Sequence, residues 1–387
     1  MKLHIFNPEN DLALADGGFS YCPPPAAMRI ANELASLPLW YAGEDSVVAL
    51  PEEHTAYRNA MATMFALPAL YTPSMRQSIN SFAPWGWSAQ MRHRLFKAMG
   101  FDKTILPTDA QIERMRDLSS RVMTIGILTA LRDAGIDTPP LPQYMTNLDA
   151  IIAFVNSNER CVIKAPWSGS GKGIMWGLGK AEKPLVHFCK GVIKRQGGVV
   201  CEHFLNAKLE FAMEFYAGGD SVEFAGYSLF TAENGAYVGN MLASDSVIED
   251  HLSQYIPLEI LTVVKEYLCI EMQRLLSGSG YKGYFGIDMM IYDNGDDYRL
   301  NPCMEVNMRM NMGVVSRIFF DRFVSPESKG VYRVAFFKQQ GEAWRFHCEM
   351  QAKHSLRVEN GRILRGYIAL SPVTHENRYI AYAIIDE

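Results

Sequence analysis

Three polar residues alternate with four apolar ones in Met304-Glu305-Val306-Asn307-Met308-Arg309-Met310. At the two-residue period of a strand, Glu305, Asn307 and Arg309 fall on one face, with the methionines and Val306 on the other. A carboxylate, an amide oxygen and a fixed cation in one row suit a divalent cation that bridges phosphates. Hard cations take oxygen ligands, and an arginine neutralises the charge that the metal leaves. Such a row is expected to handle ATP.

Other segments offer matching chemistry. Cys161-Val-Ile-Lys164-Ala-Pro-Trp-Ser168-Gly-Ser170-Gly171-Lys-Gly173 reads as a strand entering a glycine-rich turn, with Ile174-Met-Trp returning. Backbone N–H groups in such a turn can wrap phosphates. It is no Walker A loop, because Pro166 stands at the first glycine position and Gly173 at the Ser/Thr position; Ile174 likewise breaks the dinucleotide fingerprint. Lys164 lies on the strand just before the turn, where an ammonium can reach a phosphate oxygen. Val199-Val-Cys-Glu202-His203-Phe-Leu205 is an apolar strand with one embedded carboxylate, followed by Asn206-Ala-Lys208-Leu-Glu210. In Gly283-Tyr-Phe-Gly-Ile-Asp288-Met-Met-Ile-Tyr, Phe285, Ile287, Met289 and Ile291 share one face and Asp288 takes the other. An unpaired carboxylate within a long apolar strand is costly, and a metal would account for it.

The elements that must position these residues fit a soluble α/β protein. The chain has 387 residues, 48% of them apolar and 20% charged, with a formal net charge of −5. That length predicts more than one packed unit, and that charge leaves no footprint for nucleic acid. No run is long enough to span a bilayer, and polar residues and Pro8 interrupt the amino terminus before a signal could form. Seven cysteines without a Cys-x-x-Cys pair predict a reducing, cytoplasmic setting. Short strands are predicted at 3–6 and 46–50 around a helix at 26–36, then helices at 88–99, from 109 into the 130s, at 148–156, 184–196 and 257–277. Asn360-Gly361 marks a hairpin in the last stretch. The segment Phe6-Asn7-Pro-Glu9-Asn10-Asp11 follows the first strand, where α/β domains bind ligands, and is a candidate second-substrate contact.

Taken in order, the motifs resemble the ATP-grasp superfamily of carboxylate-amine/thiol ligases, over roughly residues 119–315. The resemblance implies an α/β (α+β) chain with four parts: an N-terminal α/β pre-ATP-grasp-like domain at 1–118, a first ATP-grasp subdomain with the hairpin lid at 119–196, a second at 197–330, and a small C-terminal β extension at 331–387. It implies phosphate contacts from Lys164 and the hairpin, with Ser168, Ser170 and Gly171. It implies an adenine hinge at Glu202, His203 and Leu205, and ribose contact by Glu210. It implies a metal triad of Asp288, Glu305 and Asn307 that would hold two Mg2+ ions, with Mn2+ as the other fitting cation. Arg309 would attend the transferred phosphoryl group. Arg121 matches the position of a second nucleotide-contacting lysine, an arginine where the family usually has lysine.

The implied reaction is ATP-dependent activation of a small-molecule carboxylate as an acyl phosphate, which an amine or thiol attacks as ADP and phosphate are released. Arg309 and Lys164 would serve the transfer. Neither a membrane nor a nucleic-acid partner is expected; self-association into a homo-oligomer is compatible with the chain. Two other readings use the same nucleotide grip: a small-molecule phosphotransferase, and a non-catalytic ATP-binding regulatory protein. Against the second, every implied metal ligand is present.

Overall fold

Apolar runs too short for helices build three sheets among the described residues, which in the computed structural model are 1–169, 173–233 and 236–386. The first sheet is parallel, in the order Ala69–Leu70, Val47–Val48, Lys2–Ile5, Ser81–Pro84. Parallel neighbours need crossovers. Helices Asn10–Asp16, Pro25–Glu33 and Thr55–Met61 lie within them. The second sheet is antiparallel: Gln143–Met145, Val199–His203, Cys161–Lys164, Ile174–Gly177. Helices Leu148–Ser157 and Lys183–Gln196 cover it, burying Ile151, Val155, Leu185 and Cys189 against it. The Val199–His203 strand pairs with the strand that carries Lys164. By sheet membership this strand therefore belongs with the 119–196 segment, past the boundary expected at 196.

The third sheet has nine strands among the described residues. Tyr298–Asn307, Gly283–Asp293, Asn206–Ala217, Val222–Glu233 and Ala236–Leu242 are followed by Lys329–Phe336, Tyr379–Asp386, Arg362–Ala369 and Arg357–Glu359. The carboxy-terminal stretch thus extends the central sheet itself, and it adds a helix, Glu342–Lys353. Its hairpin turns at Asn360 (φ 50°) and Gly361 (φ 74°), the left-handed pair that a two-residue turn between twisted strands requires.

The helix predicted from 109 into the 130s is two helices, Asp109–Leu118 and Met123–Asp133. Between them the Arg121 N–H donates to Pro166 O at 2.9 Å, so it leaves the helical ladder to hold the root of the glycine-rich hairpin. The segment 6–11 is not all loop, since a helix begins at Asn10 and ends at Gly17, which takes a left-handed φ of 79°.

Alternation divides the central strands. Phe211, Met213, Phe215, Phe285, Ile287, Met289 and Ile291 are buried in the main core, under Leu261, Val264, Leu268 and Met272 of helix Leu258–Leu276. On the opposite face, helix Met312–Phe323 covers only part of the sheet. The uncovered part carries the polar residues. A second core joins this helix to the amino-terminal unit: Trp40 packs edge-on against Phe65, Phe319 and Phe323, and its Nε1 donates to Leu370 O at 2.9 Å. Met310 N–H donates to Trp85 O at 2.8 Å, tying the end of the parallel sheet to the loop beside the candidate site.

Glu214 is 1% exposed on this polar face. Its Oε2 accepts from Asn311 Nδ2 at 2.8 Å, and Asn311 Oδ1 accepts the Val314 N–H at 2.9 Å, capping helix Met312–Phe323. Glycines make room for the carboxylate: Gly286 sits opposite it on the neighbouring strand, and Gly313 opens the helix that covers it. A Cβ at Gly286 would lie 2.5 Å from Glu214 Oε2, and one at Gly313 would overlap Glu214 Oε1 and Ser228 Oγ. Burial first, then the nearby Asp288 charge, pushes the Glu214 pKa from 4.5 up to about 8, against the Asn311 hydrogen bond.

Two outcomes are expected. Folded protein retains a proton on Glu214 that the unfolded chain releases above pH 4.5, so this group's contribution to stability falls as pH rises towards about 8. Chemical denaturation should show wild type losing stability relative to Glu214→Gln between these values, by at most about 1.4 kcal/mol per pH unit. A pH-independent difference would mean that Glu214 is ionised throughout. Gly313→Ala should lower stability by about 1–3 kcal/mol through overpacking, although alanine favours helix; an unchanged midpoint would contradict the crowding at Glu214.

Candidate active site

The central hairpin brings the metal candidates face to face. Asp288 pairs directly with Glu305, and Gly286 with Asn307. Burial and then the Glu305 charge raise the Asp288 pKa from 3.8 to about 7, while a hydrogen bond from Asn307 and the Arg309 charge pull it down. Glu210, two residues from Ala212 opposite Asp288, is also raised by burial, with Lys164 acting against the rise. Two crowded carboxylates and an amide oxygen form a donor set that fits a hard divalent cation, which would relieve their repulsion. Among the described residues no three His, Cys, Asp or Glu side chains make such a group alone. The fit rests on Asn307 and on oxygens that a phosphate would bring.

The strand ends at Asn307, and Arg309 N–H donates to Asn307 O at 2.7 Å in a tight turn. Arg309 is therefore off the strand face on which alternation placed it. It still lines the same cleft as Glu305 and Asn307, together with Asp11, Trp167 and Ser168. Its guanidinium meets Asp11 in a two-pronged pair, Nε to Oδ1 and Nη2 to Oδ2, both 2.7 Å, and Nη1 donates to Met310 O at 3.2 Å. Burial works against the guanidinium's charge. Asp11, with Glu305 and Asp288 behind it, outweighs that and lifts the Arg309 pKa above its ordinary value.

Arg121, 2% exposed, has a different employment from a free phosphate ligand. Its Nη2 pairs with Glu305 Oε2 at 2.9 Å, and its Nη1 donates to Ala165 O at 2.9 Å and Ser168 Oγ at 2.5 Å. It bridges the metal candidates and the hairpin root. Lys164 Nζ pairs with Glu202 Oε2 at 2.7 Å across adjacent strands, with side chains 9% and 16% exposed. Glu202, His203 and Leu205 line a second cleft beside Leu128, Asn301 and Cys303, as a base hinge would. The hairpin is rooted by Gln196, whose amide brackets Trp167 N–H and O at 2.9 and 3.1 Å, and by Arg116 stacked 3.8 Å from the Trp167 ring centre. Ser168 lines the first cleft and accepts from Arg121; Ser170 and Gly171 fall outside the described residues.

Two residues here escaped the sequence reading as site members, Glu214 and Asn311, and a third, Asp11, entered it only within a candidate second-substrate segment. Asp11 was visible only as part of a polar segment after the first strand, because its partner lies 298 positions away. Glu214 shares the strand face of Glu210, a spacing that could have revealed it. Asn311 continues the alternation of Glu305, Asn307 and Arg309, but the turn at Arg309 gives it another task as a helix cap.

No protein-family model matches the sequence, and no curated protein does. Among solved structures, biotin carboxylase from Campylobacter jejuni, in a beta-gamma-ATP complex, is 11% identical with a TM-score of 0.50, over 100% of this chain and 87% of that one. N5-carboxyaminoimidazole synthetase from Staphylococcus aureus, complexed with ADP, is 11% identical with a TM-score of 0.48, over 100% and 93%. N5-carboxyaminoimidazole ribonucleotide synthetase from Thermus thermophilus is 10% identical with a TM-score of 0.49, over 100% and 94%. At these identities the likeness speaks to architecture. With the hairpin in the second sheet, the paired carboxylates on the third and superposition of the whole chain on biotin carboxylase, the chain has the fold that the ATP-grasp resemblance implies.

Proposed function

We propose that this protein is an ATP-dependent ligase that activates a carboxylate as an acyl phosphate for attack by an amine or thiol. The observation that carries the reading is Asp288 paired with Glu305 on the adjacent strand, where Glu305, Asn307 and Arg309 line a cleft together with Trp167 and Ser168 of the hairpin root. Glu202, His203 and Leu205 would seat the base, and Glu210 the ribose, with Lys164 swinging between Glu202 and the phosphates. Asp288, Glu305 and Asn307 would hold magnesium. When bound, it supplies charge neutralisation at the β- and γ-phosphates.

In the reaction, a substrate carboxylate oxygen forms a bond to the γ-phosphorus as the bond to the β-bridging oxygen breaks and ADP leaves. The amine or thiol then bonds to the acyl carbon, loses its proton, and phosphate departs with the former carboxylate oxygen. Arg309, held rigid and cationic, is placed to hold the phosphoryl oxygens. Trp167 and Ser168, at the hairpin root, help to exclude water from the acyl phosphate. No helix among the described residues is long and apolar enough to cross a membrane. All seven cysteines are free thiols, five of them at least partly buried, which supports a reducing, cytoplasmic setting.

Incubation with Mg-ATP, a pool of small carboxylic acids and hydroxylamine should yield ADP, phosphate and hydroxamate, with Glu305→Ala as the inactive background. A stable phosphoester would instead identify a phosphotransferase. AMP with pyrophosphate would reject the ligase mechanism.

A further inference from the structure

Asp11 is where three separate parts of the chain meet. It projects from the first turn of helix Asn10–Asp16 in the amino-terminal unit. Its carboxylate takes the Nε–Nη2 edge of Arg309, at 2.7 Å for both contacts, with side chains 19% and 16% exposed. The hairpin reaches the same carboxylate: a Cβ built on Gly169 would lie 2.7 Å from Asp11 Oδ2 and 3.2 Å from its Cβ. A planar, two-pronged carboxylate–guanidinium pair fixes the direction of the whole guanidinium, which a single contact cannot do. With that edge taken and Nη1 turned to Met310 O, the guanidinium has little freedom left beside Glu305 and Asn307.

We propose that Asp11 is a positioning residue for phosphoryl transfer: it aims Arg309 at the transferred group, and the hairpin seats on the same carboxylate through Gly169. The assignment rests on the nucleotide-handling role proposed above for Arg309. It makes the amino-terminal unit a contributor to the phosphate end of the site without touching the nucleotide. It also accounts for glycine at 169, whose backbone is not in the left-handed region and would accept alanine. The added methyl group would press on Asp11, which cannot yield without leaving Arg309.

The test is the preference for Mg-ATP over Mg-ADP, read as the ratio of two dissociation constants by calorimetric titration, because only the γ-phosphate should feel Arg309. Asp11→Asn and Gly169→Ala should each reduce the ratio about tenfold while Mg-ADP affinity stays at the wild-type value. Arg309→Ala should reduce it at least as far, and Asp11→Asn added to Arg309→Ala should cause no further loss. Should Asp11→Asn not fold, Gly169→Ala carries the test. An unchanged ratio in the Asp11 and Gly169 variants, equal losses for both nucleotides, or losses that multiply in the double variant would overturn the assignment alone. Absence of Mg-ATP binding by wild type, or an unchanged ratio in Arg309→Ala, would overturn the nucleotide reading and this assignment with it.

Discussion

Carboxylates crowded onto one face of a sheet require counter-charge, and much of this architecture can be understood as its delivery. Asp288, Glu305, Glu210 and Glu214 share the polar face of three neighbouring strands whose other face is the main core. Burial first, with the neighbouring carboxylate charges behind it, raises the pKa values of Asp288 and Glu214. Arg309 comes from the turn after the strand, Arg121 from a break between helices, and Lys164 from the second sheet. Each cation already has a carboxylate partner, so metal and nucleotide phosphates would enter a site whose charges are balanced internally. Their binding must exchange partners rather than add charges, which makes affinity a matter of geometry more than of net field.

Packing and chemistry are joined at the amino end of helix Met312–Phe323. Asn311, which caps it, also holds Glu214, and its apolar side carries the aromatic cluster that grips Trp40. The same helix therefore positions the amino-terminal unit and closes off part of the polar face. Through Met310 and Trp85 the parallel sheet is held with its carboxyl end towards the cleft, the end at which open α/β sheets bind ligands. That arrangement sets Asp11 opposite Arg309.

Much of the candidate site was legible as local pattern. Strict alternation marked the faces of Gly283–Asp293 and Tyr298–Asn307, because a strand's side chains alternate whatever it packs against. The hairpin strands around Lys164 followed from an apolar run broken by glycines, and the Asn360-Gly361 turn from its need for left-handed backbone. Expectations failed where local propensity met a distant partner. The helix through 119–122 is interrupted because Arg121 is pulled to the hairpin root, and alternation stops at Asn307 because Arg309 closes a turn towards Asp11. Sheet membership was equally hidden: nothing local tells the 199–203 strand to join Lys164, or the carboxy-terminal strands to extend the central sheet.

By itself, then, the sequence determined which residue types occupy each face and which segments turn, since these follow from backbone period and glycine chemistry. The tertiary structure alone decided the pairing of charges. Asp11 with Arg309, Arg121 with Glu305 and Glu214 under the capped helix each join residues about a hundred or more positions apart. Such contacts depend on how whole units dock, and docking is governed by the shape of buried cores, which no local spacing encodes.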